Sequence, residues 1–200
     1  ILQNSIPKRT NIPIVLRVSS GNSILNDDLS NEELCVSIED AIRLNASAVA
    51  FSIYIGGAYE HQTIVEFSKL VNDAHRYGIP VLAVTAVGKD MNRDLRYLSL
   101  ASRIAVELGA DIVKTYYCDG FNELIAACPV PVVIAGGKKV PELDALEFAH
   151  KAISDGAAGV DMGRNIFQSE SPENMIQAVR SVVVNGVEPK DAYTQYKSSL

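Results

Sequence analysis

Tryptophan is absent and cysteine is scarce: the chain has only Cys35, Cys118 and Cys128. An odd count with no C-x-x-C pair excludes a disulfide framework and a cysteine-based zinc site, and it fits a reducing compartment. Basic residues are in deficit, 18 Lys and Arg against 24 Asp and Glu, so the net charge is −6 and no basic field exists to hold a nucleic acid. No apolar run approaches the roughly 20 residues of a membrane span, and no signal peptide is visible. Neither a membrane nor a nucleic acid is therefore an expected partner. What is present is 200 residues that are 48% hydrophobic and 21% charged. That composition suits one sizeable core and is short for two domains, so residues 1–200 are expected to form a single domain.

The apolar runs have strand length and alternate with helical patterns. Strands are expected over 12–18, 47–55, 80–85, 111–117, 131–135 and 158–162. A helix is expected over 32–44, capped by Asn31 with Glu32 and Glu33 in its first turn. Another is expected over 61–77, where Ile64, Phe67, Leu70, Val71 and Ala74 share a face. Further helices are expected over 94–108, 120–127, 141–154 and 172–184, with a helical tail from Pro189. Strand–helix alternation predicts an α/β fold with a parallel sheet covered by helices. Five of the six strands have glycine shortly after the carboxyl end, where barrel enzymes build their sites. No G-x-G-x-x-G follows the first strand, which disfavours an open dinucleotide-binding sheet. The fold is therefore read as a (β/α)8 TIM barrel of which only six of the eight strands are present.

One lysine lies inside an apolar strand, in Asp111-Ile112-Val113-Lys114-Thr115-Tyr116-Tyr117. An ammonium there is costly to desolvate, and a neutral amine can attack a carbonyl to form a Schiff base. The bland alternative is that Lys114 reaches solvent or a carboxylate at the strand end. Alternation puts Ile112, Lys114 and Tyr116 on one face, and Lys89 or Lys138 nearby would disfavour the ammonium further. The last two strands end in Ala135-Gly136-Gly137-Lys138 and Asp161-Met162-Gly163-Arg164-Asn165. Barrel enzymes often bind phosphate at these loops; glycine admits backbone N–H groups, and Lys138 and Arg164 supply charge. Tight turns alone are the alternative. Tyr116 or Tyr117 could move protons, though packing is the commoner role. Arg17 could point into the mouth or form a surface ion pair. Glu60 or His61 could serve as acid or base, with helix capping the safer reading of Glu60. His75 and His150 read as solvent-facing, and Cys118 as a buried inert thiol. No metal-ligand set is evident.

Three blocks, 114–117, 128–139 and 159–168, resemble the DeoC/FbaB-type class I aldolase family. So do Leu16-Arg17 with 22–25, Tyr54-Ile55-Gly56 with 59–62, and Val87-Gly88-Lys89-Asp90-Met91. The resemblance covers nearly the whole chain. It implies a (β/α)8 barrel represented here by strands three to eight, with the first two β/α units missing, and a Schiff-base lysine at Lys114. It implies phosphate binding at Gly136, Gly137, Gly163 and Arg164; the residue pattern itself adds Lys138 to that set and offers Tyr116 and Lys89 as further catalytic candidates. The implied reaction is a thiolase step, moving acetyl from 3-hydroxy-5-phosphonooxypentane-2,4-dione, derived from phosphorylated autoinducer-2, to coenzyme A. No bound cofactor is implied; coenzyme A is a co-substrate, and the setting is a homo-oligomer in bacterial cytoplasm. The family's archaeal fructose-bisphosphate aldolases carry a proton-shuttling tyrosine where this chain reads Thr85-Ala86-Val87-Gly88. That favours the thiolase over the sugar aldolase. The alternatives are a class I fructose-bisphosphate aldolase, an inactive truncated barrel, and a phosphate-binding isomerase with no covalent step.

Overall fold

The computed structural model describes residues 12–23, 25–26, 28–87 and 91–199, and divides the chain into two compact units. The first comprises Ile1–Asn92 with Arg96–Val113, and the second Arg93–Leu95 with Lys114–Leu200. In chain order the first unit holds β1 (Val15–Arg17), β2 (Ser19–Ser20), β3 (Glu33–Leu34), α1 (Ile38–Arg43), β4 (Ala48–Ile55), α2 (Glu60–Arg76), β5 (Val81–Val87) and most of α3 (Leu95–Glu107). The chain then passes through β6 (Ile112–Thr115) to α4 (Phe121–Ala127), β7 (Val132–Ala135), α5 (Glu142–Ser154), β8 (Gly159–Asp161), α6 (Arg164–Phe167), α7 (Pro172–Asn185) and α8 (Pro189–Ser198). The strands of the main sheet are neighbours in chain order, β1-β4-β5-β6-β7-β8, and β2 pairs separately with β3. The α/β expectation holds, and the described registers in the main sheet are parallel, with Leu16 opposite Val49 and Ala135 opposite Asp161.

In the first unit β4 reads AVAFSIYI and is buried at every position except the partly accessible Tyr54. A parallel strand covered on both faces needs such a continuous apolar run rather than alternation. α2 buries Thr63, Phe67, Leu70, Val71 and Ala74 along one stripe. The rings of Phe67 and Phe51 lie 6.2 Å apart, and burying each contributes roughly 1.5–3 kcal/mol. In the second unit α5, α7 and α8 close a core of Leu146, Ala149, Met175, Val179, Val182 and Tyr196.

The helix expected over 32–44 is a misreading. Glu33–Leu34 is a strand antiparallel to Ser19–Ser20, and the helix begins only at Ile38. Ser37, not Asn31, caps it, its hydroxyl accepting from the Asp40 N–H at 3.1 Å. Glu32 lies buried, its carboxylate receiving Arg17, and that contact draws the chain past β2 before a helix can start. β6 is likewise shorter than 111–117: it stops at Thr115.

Candidate active site

Along β6, Val113 and Thr115 are buried while Ile112 and Lys114 are partly exposed, as alternation demands. The Lys114 side chain retains 22% of its accessibility, and its Nζ stands 2.7 Å from Oδ2 of Asp161 at the end of β8. The neighbour at this distance is a carboxylate, where the sequence led us to expect positive charge from Lys89 or Lys138. Lys89 falls outside the described residues, and Lys138 is exposed on its loop. Tyr116 lies one residue beyond β6, and the Arg93 guanidinium sits 4.0 Å from its ring centroid. Tyr117 turns to other work. Its hydroxyl donates to Asp155 at 2.5 Å and its ring packs on Phe121 and Phe148, so its role is structural. Cys118 is buried, which pushes its thiol up.

The two glycine loops divide their labour. The Gly136 N–H donates to the Asp161 carbonyl at 3.0 Å, extending the β7–β8 ladder. A Cβ at Gly136 would meet Met162 Cγ at 2.6 Å and Met162 Cα at 2.9 Å, so this glycine permits close approach of two strand ends. Gly137 has φ +68° and open space around a Cβ; it makes the left-handed turn. Gly137, Lys138, Gly163 and Arg164 are exposed. Lys139 instead pairs with Glu142 at 2.7 Å, and its hydrogen bond holds the Glu142 carboxyl below the usual carboxylate range.

Asn165 ties these loops together. It is 1% exposed, and its Nδ2 donates to the carbonyls of Gly136 at 2.7 Å and Lys138 at 3.2 Å, while its Oδ1 accepts from the Val140 N–H at 3.0 Å. Sequence reasoning quoted Asn165 only as part of a motif. It also gave no role to Asp161, whose signal was a carboxylate ending an apolar strand.

In the first unit Arg17 does form an ion pair, from a half-exposed side chain to the buried Glu32. Its Nη2 donates to Glu32 Oε1 at 2.5 Å and to Ser52 Oγ at 2.7 Å. Ser19 Oγ and Tyr54 OH donate to the same carboxylate at 2.6 and 2.9 Å. Burial pushes the Glu32 carboxyl up, but the hydrogen bonds from Arg17 and Ser19 outweigh it, and the group titrates below its ordinary value. Tyr54 is pushed up to about 12, first by burial and then by the Glu32 charge. The cluster lines a cleft with Ser20, Gly21, Asn22 and Leu29. Glu60 accepts from the Gly56 N–H at 2.7 Å, a loop-holding role, and His61 is exposed. His75 meets Asp111 at 2.9 Å on the flank of α2.

Residues 2–169 match the pattern of the DeoC/LacD family aldolases. The chain belongs to the DeoC/LacD aldolase family. The family's 3-hydroxy-5-phosphonooxypentane-2,4-dione thiolase of Klebsiella pneumoniae is 58% identical over 194 residues, which is 96% of this chain. The chain spans 65% of that relative's length. Among solved structures, an archaeal fructose 1,6-bisphosphate aldolase superposes with TM-score 0.84 at 29% identity, covering 93% of this chain and 76% of that one. A second archaeal aldolase structure, whose catalytic lysine is covalently bound to the carbinolamine intermediate, superposes at 0.83 with 28% identity, covering 92% and 75%. The fold of this DeoC/LacD chain is thus α/β, with a six-stranded sheet among the described residues whose described registers are parallel. Among its described residues no helix is long and apolar enough to cross a membrane.

Proposed function

We propose that the protein is a Schiff-base acyltransferase, with Lys114 as the nucleophile and residues 1–200 acting as one catalytic domain. The observation that carries this is the Lys114 amine, partly shielded at a strand end and 2.7 Å from a carboxylate, within the unit that also holds both glycine loops. In this reading the substrate is a phosphorylated 3-hydroxy-2,4-diketone. The amine condenses with the carbonyl nearest the phosphoester, giving an iminium that serves as an electron sink. The thiol of coenzyme A adds to the far carbonyl. The carbon–carbon bond then breaks, leaving acetyl-CoA and an enamine, which takes a proton and is hydrolysed to dihydroxyacetone phosphate. Gly137, Lys138, Gly163 and Arg164 hold the phosphate, with Gly136 as the spacer that lets the two loops meet. Tyr116 and Lys89 are accessory proton carriers, and the reaction is cytoplasmic because its co-substrate is coenzyme A.

Two lines support this reading, the first its thiolase step and the second its Schiff base. The Klebsiella relative bears the thiolase name at 58% identity, and a structural neighbour carries a lysine-bound carbinolamine. The runner-up is a class I fructose-bisphosphate aldolase, supported by the archaeal neighbours. Incubation with the phosphorylated diketone and borohydride, followed by intact mass and peptide mapping, tests the nucleophile; an adduct mapped away from Lys114 sinks the assignment. Product formation with and without coenzyme A separates thiolase from aldolase. Tyr116→Phe and Lys89→Met belong in the same assay.

A further inference from the structure

The Lys114–Asp161 pair is odd as a piece of architecture. Neighbouring strands lie about 4.8 Å apart, and β7 intervenes between β6 and β8 in the sheet. The lysine therefore spans the end of a whole strand to reach the carboxylate. Ala135 on β7 is the register partner of Asp161 and presents only a methyl group. Asp161 is 54% exposed, and an ion pair with one partner this open contributes little to stability. Fold stability does not explain why the pair is made. The backbone of Asp161 is meanwhile fixed, because its carbonyl accepts from the Gly136 N–H. A carboxylate held rigidly by its main chain, open to solvent, and in hydrogen-bond reach of an amine has the geometry of a general base and acid.

We propose that Asp161 is a catalytic residue that carries the protons of Schiff-base formation at Lys114. The inference rests on the assignment of Lys114 as the nucleophile. The carboxylate first takes a proton from the Lys114 ammonium, freeing the lone pair of Nζ. The N–C bond forms as the carbonyl π bond breaks, and the new alkoxide takes the proton from Asp161. Asp161 then removes a proton from the substituted nitrogen, giving the neutral carbinolamine. Finally it returns that proton to the carbinolamine hydroxyl; the C–O bond breaks, water leaves, and the nitrogen lone pair closes the iminium. Ammonium and ketone become iminium and water, and Asp161 ends as the carboxylate it began as.

The test follows borohydride-trapped adduct at Lys114 against time, by intact mass, with a phosphorylated ketone. Asp161→Asn is expected to slow trapping about 100-fold, within the range of general acid–base contributions. Asp161→Ala is expected to be equally slow and to be accelerated by added formate, while Asp161→Glu retains trapping within about tenfold of the wild type. Thermal melting identifies which variants keep the fold. A folded Asn or Ala variant that traps at the wild-type rate overturns the proposal and leaves Lys114 as the nucleophile. Should both neutral variants unfold, the Glu variant decides: a folded Asp161→Glu protein with no trapping overturns it. No adduct at Lys114 in the wild type removes the Schiff-base assignment and this proposal together.

Discussion

Two basic side chains meet carboxylates at strand ends, and the two pairs are built differently. Glu32, whose side chain is 9% exposed, receives hydrogen bonds from Arg17, Ser19 and Tyr54. Asp161, at 54%, stands open beside an amine that is itself 22% exposed. A buried carboxylate with several donors is held in one charge state, because protonating it strands donors that water cannot reach. An open carboxylate can give and take protons without that penalty. The same ingredients therefore make a fixed brace in the first unit and, on the proposal above, a reactive pair in the second. Solvent access and the number of donors distinguish them; charge and distance do not.

The sharpest way to break this contrast is to exchange its consequences. Lys114→Ala is expected to abolish the borohydride-trapped adduct completely while leaving the melting temperature nearly unchanged; retained trapping would assign the wrong lysine. Arg17→Met is expected to do the reverse. It leaves Glu32 buried without its cation, and should cost about 3 kcal/mol in urea unfolding, at the low end for breaking a buried pair because Arg17 is half exposed. A cost below about 1 kcal/mol would place the brace among ordinary surface pairs. The sign of its pH dependence follows from the lowered Glu32 value. A carboxyl depressed in the folded state stabilises above its unfolded value of 4.5, and the contribution disappears as pH falls through the folded value. The stability difference between wild type and Glu32→Gln should therefore be full near pH 7 and shrink below about 4.5; melting temperatures across that range measure it.

Smaller effects sharpen the second unit. Asn165→Ala strands the Val140 N–H and the carbonyls of Gly136 and Lys138, at about 2 kcal/mol. Hydrogen exchange at Val140 should quicken with it, and unchanged exchange would remove Asn165 as the loop tie. Gly137→Ala should cost least, about 1 kcal/mol for a left-handed residue with room for its methyl. A larger loss in denaturant melts would show that something packs against that turn.

Much of the fold could be read from the residues. Continuous apolar runs such as Ala48–Ile55 announced parallel strands because burial on both faces leaves no room for polar alternation. Leu70, Val71 and Ala74 announced a helix by their spacing. The errors came where a long-range contact overrode local preference. Glu32 and Glu33 suit a helix start, yet Glu32 is claimed by Arg17, fifteen residues away, and the chain runs on as a strand instead. Tyr116 has a strand-forming residue's shape but lies past the end of β6.

The candidate site divides along the same line. Sequence alone singled out Lys114 and both glycine loops, because a lysine in an apolar strand and glycines at strand ends are local anomalies visible in one dimension. Only the tertiary structure decided their neighbours. It set Asp161 against Lys114 across an intervening strand, made Gly136 a spacer beside Met162, and made Asn165 the tie between two loops. Partners such as these lie tens of residues apart in the chain, and no spacing rule encodes a contact created by the order and register of strands.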